Sequence, residues 1–322
     1  MHTASAAFLY PGQGSQHPGM GREAFETFAE ARDVFEEADT ALPIPLSSLC
    51  FKGSEEELRL TEITQPAILT VSIALQRVLA ARGLQPHWLA GHSLGEYSAL
   101  VTAGCLGLAD AVRLVHRRGR YMQEAVPEGT GAMAALLGIG DDDVRALCVQ
   151  QQGEGTVEVA NLNAPGQVVV AGDRAAVEGL VERAKREGAR RAIMLNVSAP
   201  FHCSLMQPAA DRLRRDLDAT PFGDPGAEVV CNVDARPIAD GSAAREALFR
   251  QVTSPVRWAE SVQFLASAGV GVFVEVGPGR VLSGLVKRTL GRDAQVYTIE
   301  KPGDIDKVLT TLDGSHAGGG TI

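Results

Sequence analysis

Ser93 stands in Gly91-His92-Ser93-Leu94-Gly95, between a short apolar run, Trp88-Leu89-Ala90, and a segment from Glu96 to Ala103 with apolar residues at helical spacing. Strand, Gly-x-Ser-x-Gly and helix in that order are the setting of a nucleophile elbow, a sharp turn that lifts a serine to the tip of a strand. Glycine at both ends removes the Cβ atoms such a turn would crowd. The Leu94 N–H and the positive end of the following helix would then face a developing oxyanion. The same five residues also fit an ordinary Gly-rich strand-to-helix loop.

A serine hydroxyl needs a base. Seven histidines compete for that role. His2 and His316 lie near the chain ends, His92 adjoins the serine and projects away from it on an extended strand, and His116 falls on the polar side of a helix. His202 follows an expected strand end and comes late in the chain, as in hydrolase-like orders. His17 and His87 stay open by pattern. No acid stands out as an orienter, so a Ser-His dyad held by a backbone carbonyl and a full triad are both open.

A second chemical signal lies between Ala109 and Val126. At 100° per residue, Ala111, Leu114, Val115, Tyr121, Met122 and Ala125 fall within about 60° of Arg118, in the middle of an apolar stripe. A buried guanidinium stays charged and needs an anion. That anion is either an internal Asp or Glu, or the carboxylate of a ligand held by the planar fork, unless the side chain snorkels with only its stem buried.

Several elements must position these groups. Ala6 to Tyr10 reads as a buried strand ending in Pro11-Gly12-Gln13-Gly14-Ser15-Gln16, a loop that lacks the Lys-Ser/Thr of a phosphate loop and offers bare N–H groups. Helical spacing follows at about 22–40, 54–60 and 65–82. Past a hinge at Pro127 to Gly131, the segment reads β-α-β-β-α-β to Val197, the ferredoxin-like order, with Asn161 to Gly166 as a loop. Strands and helices alternate again from 200 to 312, ending with Val272–Val276, Gly277-Pro278-Gly279 and a helix from Val281. The fold class is α/β, with a mostly parallel sheet in a large subdomain (1–126 and 200–312) and an inserted small one (127–199). The Gly-rich end, 313–322, is expected to be disordered.

Composition narrows the function classes. A net charge of -9 argues against a general nucleic-acid surface. Five cysteines without a C-x-x-C suit reduced thiols in a cytoplasm and supply no metal spacing. The N-terminus carries no basic residue before its short apolar run, so it makes a poor signal peptide, and no apolar stretch approaches the roughly 20 residues of a membrane span.

Together, Pro11-Gly12-Gln13-Gly14-Ser15-Gln16, Gly91-His92-Ser93-Leu94-Gly95-Glu96-Tyr97-Ser98-Ala99-Leu100, Arg118-Gly119-x-Tyr121-Met122-Gln123, Asn163-Ala164-Pro165-Gly166-Gln167, Phe201-His202 and Glu275-Val276-Gly277-Pro278-Gly279 carry a resemblance. From about residue 6 to residue 300 the chain resembles the malonyl-CoA:acyl-carrier-protein transacylases of bacterial type II fatty-acid synthesis, relatives of polyketide synthase acyltransferase domains. The resemblance implies an α/β-hydrolase-like large subdomain and a ferredoxin-like small one. It implies Ser93 as nucleophile, His202 as base, and Arg118 as the clamp for the malonyl carboxylate. It further implies an oxyanion hole from the Gln13 and Leu94 N–H groups, and the Gln251 main-chain carbonyl as orienter of the histidine. Tyr10 and Ala164 are mild departures.

The expected activity is ping-pong malonyl transfer from malonyl-CoA to the phosphopantetheine thiol of acyl carrier protein, without metal or redox cofactor, in a cytoplasmic monomer. An acidic carrier must meet local basic patches on this acidic chain. Lys185-Arg186 with Arg190-Arg191, and Lys287-Arg288 with Arg292, are the candidates, and each also reads as a plain solvated helix face. A discrete polyketide acyltransferase, a serine acyl hydrolase or thioesterase, and a non-catalytic carrier-binding module are the alternatives.

Overall fold

The computed structural model describes residues 5–317 except Gln152, Glu154 and Ser198. Among the described residues nine strands form two sheets: β1 (Ser5–Tyr10), β2 (Trp88–Gly91), β3 (Gly131–Leu137), β4 (Val157–Ala164), β5 (Gln167–Asp173), β6 (Arg191–Met194), β7 (Glu228–Val230), β8 (Val270–Val276) and β9 (Gln295–Ile299). The first sheet runs β7-β2-β1-β8-β9 with every pairing parallel. Its central strands are continuous apolar runs such as Ala7-Phe8-Leu9-Tyr10, as a sheet covered on both faces requires. The mostly parallel sheet and the α/β class expected from the alternating pattern are therefore present.

The Thr61–Ala81 helix forms the middle of the core, packed against Ala29–Ala41 and Leu108–Glu124. It is the one described helix long and apolar enough to cross a membrane, and nearly all of that stretch is buried inside the protein. The parallel strand order brings the C-terminal ends of β7, β2 and β1 side by side, with the Asn232 turn, the serine turn and the Pro11–Gln16 loop at adjacent tips. Sites in open parallel sheets form at such strand ends.

The second sheet, β4-β5-β3-β6, is antiparallel. Taken locally, its strands are ordered 2-3-1-4, which is the ferredoxin-like arrangement of a β-α-β-β-α-β unit. On β3 the alternation has period two. Ala132, Ala134 and Leu136 pack with Leu180 and Val144 under the helices Arg174–Arg186 and Asp141–Gln150, while Met133 joins the large core.

Two boundaries differ from the sequence reading. Asn161 to Ala164 is the end of β4, not a loop, because it pairs with β5 through register shifts and with Val256 of the large part, leaving Pro165 and Gly166 as the turn. The last helix runs Pro302–Ala317, anchored by buried Ile305 and Val308, so it takes in residues 313–317 that composition alone leaves disordered. Residues 318–322 of that expected tail lie outside the described residues.

Candidate active site

Ser93 follows β2 with φ 52°, in the left-handed region that side chains with a Cβ rarely enter. Its neighbours allow the turn: a Cβ on Gly91 would lie 1.9 Å from the Gly95 carbonyl carbon, and one on Gly95 would lie 2.0 Å from the Tyr10 carbonyl oxygen. Asn232 holds the strained residue from the tip of β7. Its Oδ1 accepts from the Ser93 N–H at 2.7 Å, and its Nδ2 donates to the Gly91 carbonyl at 2.7 Å.

Ser93 Oγ lies 2.7 Å from His202 Nε2, and His202 Nδ1 lies 2.8 Å from the Gln251 main-chain carbonyl. A carbonyl only accepts, so the proton sits on Nδ1 and Nε2 is free to take the serine proton. The orienting group is thus a backbone oxygen, and no triad acid touches the imidazole among the described residues. His202 also takes a left-handed φ of 63°. Its turn is clasped from the small sheet, where Glu158 on β4 accepts from the Ser204 N–H at 2.8 Å and from its Oγ at 2.6 Å. Burial, and then the Arg118 charge, push the His202 pKa down to about 3 against the pull of the Gln251 carbonyl. The free imidazole is therefore neutral at ordinary pH. His17, left open by pattern, pairs instead with Glu300 at 2.6 Å, and His87 stacks edge-on with Trp88.

Arg118 is 2% exposed. Its Nη1 donates to Gln65 Oε1 at 2.7 Å, and its Nη2 to Gln251 Oε1 at 2.9 Å and to Ser93 Oγ at 3.1 Å. The Tyr97 ring lies 5.7 Å from its guanidinium carbon, and its Nε has no hydrogen-bond partner. Among the described residues no carboxylate reaches it within ion-pair distance, so the internal salt bridge allowed by the sequence is not made. The cation is held by neutral oxygens, beside the Ser93 hydroxyl.

Gln13, at the tip of β1, and Leu94, after the serine, line the same cleft of about 130 Å3, together with Arg118, His202, Met133, Phe201 and Gln65. Among the described residues neither the Gln13 nor the Leu94 N–H meets an acceptor, which suits an oxyanion hole. Acyl transfer through a serine is the chemistry this set can perform, with a cation available for an anionic acyl tail.

The basic residues divide. Arg190 and Arg191 of the small unit and Arg288 of the Val281–Leu290 helix line one groove with Pro165, Gly166 and Gly138. Lys185, Arg186 and Lys287 do not join them. Lys185 pairs with Glu182 at 2.6 Å. Three residues of the site were not legible beforehand: Gln65, Asn232 and Glu96. Only Glu96 had a local signal, as an acid in the buried helix after the elbow. The other two reach the site through sheet order and helix packing.

A family model described as acyl transferase domain matches residues 7–308. The chain is 48% identical over 307 residues to the malonyl CoA-acyl carrier protein transacylase of Bacillus subtilis strain 168, covering 95% of this chain and 96% of the relative. Among solved structures, an acyl-carrier-protein-S-malonyltransferase from Bartonella henselae superposes with a TM-score of 0.93 at 43% identity, covering 96% of this chain and 99% of that one. A malonyl-transacylase solved in complex with its type II PKS acyl-carrier protein superposes with a TM-score of 0.92 at 44% identity, covering 97% and 100%.

Proposed function

The chain belongs to the acyl transferase family, and from that premise we propose that it transfers a malonyl group from malonyl-CoA to the phosphopantetheine thiol of acyl carrier protein through a malonyl-Ser93 intermediate. The observation that carries the reading is Arg118: a buried cation with no carboxylate within ion-pair distance among the described residues, hydrogen-bonded to the serine it would serve.

In the first half-reaction His202 Nε2 takes the Ser93 proton as Oγ attacks the thioester carbonyl. The Gln13 and Leu94 N–H groups receive the oxyanion, each worth about 3–4 kcal/mol in comparable acyl-transfer sites. The intermediate collapses with cleavage of the C–S bond, and the imidazolium returns its proton to the departing CoA thiolate. The second half runs in reverse with the carrier thiol as nucleophile. A malonyl carboxylate seated on Arg118 takes the donor that otherwise serves Ser93 Oγ. It also cancels the charge that depresses His202, so the right acyl group makes the base stronger. A neutral acyl group leaves the cation unpaired, which a site built for a charged ligand penalises strongly.

Neither half-reaction calls for a metal or redox cofactor. The groove of Arg190, Arg191 and Arg288, next to the Pro165–Gly166 turn after the end of β4, whose Asn163 contacts His92, is the surface we assign to the acidic carrier protein. Five buried cysteines, free of disulfides, support a cytoplasmic setting. Likeness to a transacylase that serves a type II PKS carrier supports a second reading, supply of a polyketide carrier by the same chemistry.

Intact-mass measurement after mixing with malonyl-CoA, and separately with acetyl-CoA, tests the proposal. A malonyl adduct should form, require Ser93, persist, and discharge onto carrier protein. Steady CoA release without an adduct would instead make the protein a hydrolase, and no reaction with either thioester would favour a binding module.

A further inference from the structure

The Arg118 anchor raises a question of polarity. Gln251 Oε1 accepts from Arg118, and this is possible only because its Nε2 has acceptors on its other side. Those are the Ser93 carbonyl at 3.0 Å, Glu96 Oε2 at 2.8 Å and Asn232 Oδ1 at 3.3 Å, the last already taken by the Ser93 N–H. Glu96 is fully buried. Its Oε2 also accepts from the Asn232 N–H at 3.0 Å, and its Oε1 has no partner. A carboxylate in this place is an expensive group to bury, and it does not touch Arg118. A single amide separates anion from cation, with its N–H on the carboxylate and its C=O on the guanidinium.

We propose that Glu96 is a positioning residue for acyl selection: it holds the Gln251 amide with its oxygen toward Arg118, so the guanidinium is anchored in contact by neutral oxygens only and keeps its free edge for a substrate carboxylate. The inference rests on the malonyl-transfer reading and deepens it. An ionised Glu96 cannot donate, so the reversed amide would set oxygen against carboxylate and N–H against guanidinium. A protonated Glu96, or a glutamine there, can donate, and the reversed amide becomes available. Arg118 then loses one of its two amide anchors. A carboxylate placed directly on Arg118 would hold it as well, but would compete with the substrate.

The groups facing Glu96 restrict the pH window. Burial pushes Glu96 up to about 7, opposed by the Asn232 and Gln251 N–H groups and by Arg118, while Asp234 adds to the rise. Tyr97 is raised far above its usual range and Cys231 to about 11, both by burial. Asp234 is lowered by its bond to Arg250, and His202 lies near 3. Between pH 6 and 8, Glu96 is the group among these that changes charge.

The test compares initial rates of malonyl and acetyl loading of Ser93 by intact mass, for the unmodified protein and Glu96→Gln, from pH 6 to 8, with thermal melting as a folding control. At pH 8, Glu96→Gln should raise the malonyl-CoA KM on the order of tenfold, as expected for losing a hydrogen bond to a charged group, and lower the malonyl-to-acetyl loading ratio with it. In the unmodified protein the malonyl-to-acetyl ratio should fall as pH drops from 8 to 6, and in the variant it should be flat. Parallel losses for both acyl groups, or an unmodified ratio independent of pH, would overturn the role of Glu96. The pH series on the unmodified protein decides even where the variant does not fold. Failure of malonyl-CoA to load the unmodified protein at any pH would overturn the functional reading itself, a distinct result.

Discussion

The serine cleft and the core of the small sheet are built on opposite principles. Beneath β3 to β6, Ala134, Leu136, Val144, Val168, Val170, Leu180 and Val181 fill an apolar interior, and the strand alternation alone sorts inside from outside. In the cleft, two residues sit at left-handed φ, a guanidinium and a carboxylate are fully buried, and Arg118 Nε and Glu96 Oε1 lack partners. Strained backbone and unmet polar groups persist only where the surroundings over-determine them. Here Asn232 and Gln251 do so for Ser93, and Glu158 does so for the His202 turn. The difference shows where stability was given up: the small core contributes folding energy, and the cleft holds groups ready for a ligand.

The largest expected effect tests the cleft directly. Ser93→Ala should abolish the acyl adduct, with transfer lowered by about 10^4-fold or more, while the melting temperature stays close to level, because alanine keeps the same Cβ and backbone and removes only a half-buried hydroxyl. Intact mass and thermal melting together read this, and a large drop in stability would mean the serine belongs to the packing. Next, Arg118→Ala should cut malonyl kcat/KM by roughly 10^2- to 10^4-fold and acetyl far less. The same variant sharpens the electrostatic side. Arg118 lowers the His202 pKa, so removing the cation should move the acid limb of acetyl loading to higher pH, toward the ordinary histidine value. A limb that stays in place would show that burial alone sets the base.

In the small core the signs reverse. Leu180→Ala should lower stability by about 3 kcal/mol, read by denaturant melts, with malonyl loading per folded molecule unchanged. A matching loss of loading would mean the small sheet acts on the chemistry through Met133 and the Glu158 clasp. The smallest effect belongs to the surface between the two regions. Replacing Arg190, Arg191 and Arg288 by Ala should raise the KM for carrier protein by about tenfold, more at low salt than at high, and leave loading from malonyl-CoA nearly untouched.

Much of this site is legible in the sequence alone. Gly91-His92-Ser93-Leu94-Gly95 announced a turn between strand and helix because the steric demand of that turn falls on its own residues. Arg118 declared itself by lying on the wrong side of an amphipathic helix, a matter of 3.6-residue periodicity. The period-two alternation of β3 was equally local. The end of β4 misled because Asn161-Leu162-Asn163-Ala164 has the composition of a loop and is a strand only through its partners β5 and Val256.

What the chain determined by itself, then, is its element types, the elbow, the misplaced cation and the family they resemble, since each depends on neighbours within a few residues. Local pattern leaves open whether Arg118 has an internal anion and which histidine meets the serine; the resemblance implies His202, and the tertiary structure brings it to Ser93. Tertiary structure also decided that Gln65, Asn232 and Glu96 join Gln251 around them. Those contacts link positions 53 to 158 residues apart. They exist because the parallel order β7-β2-β1 sets three strand tips together, and local sequence carries no record of that order.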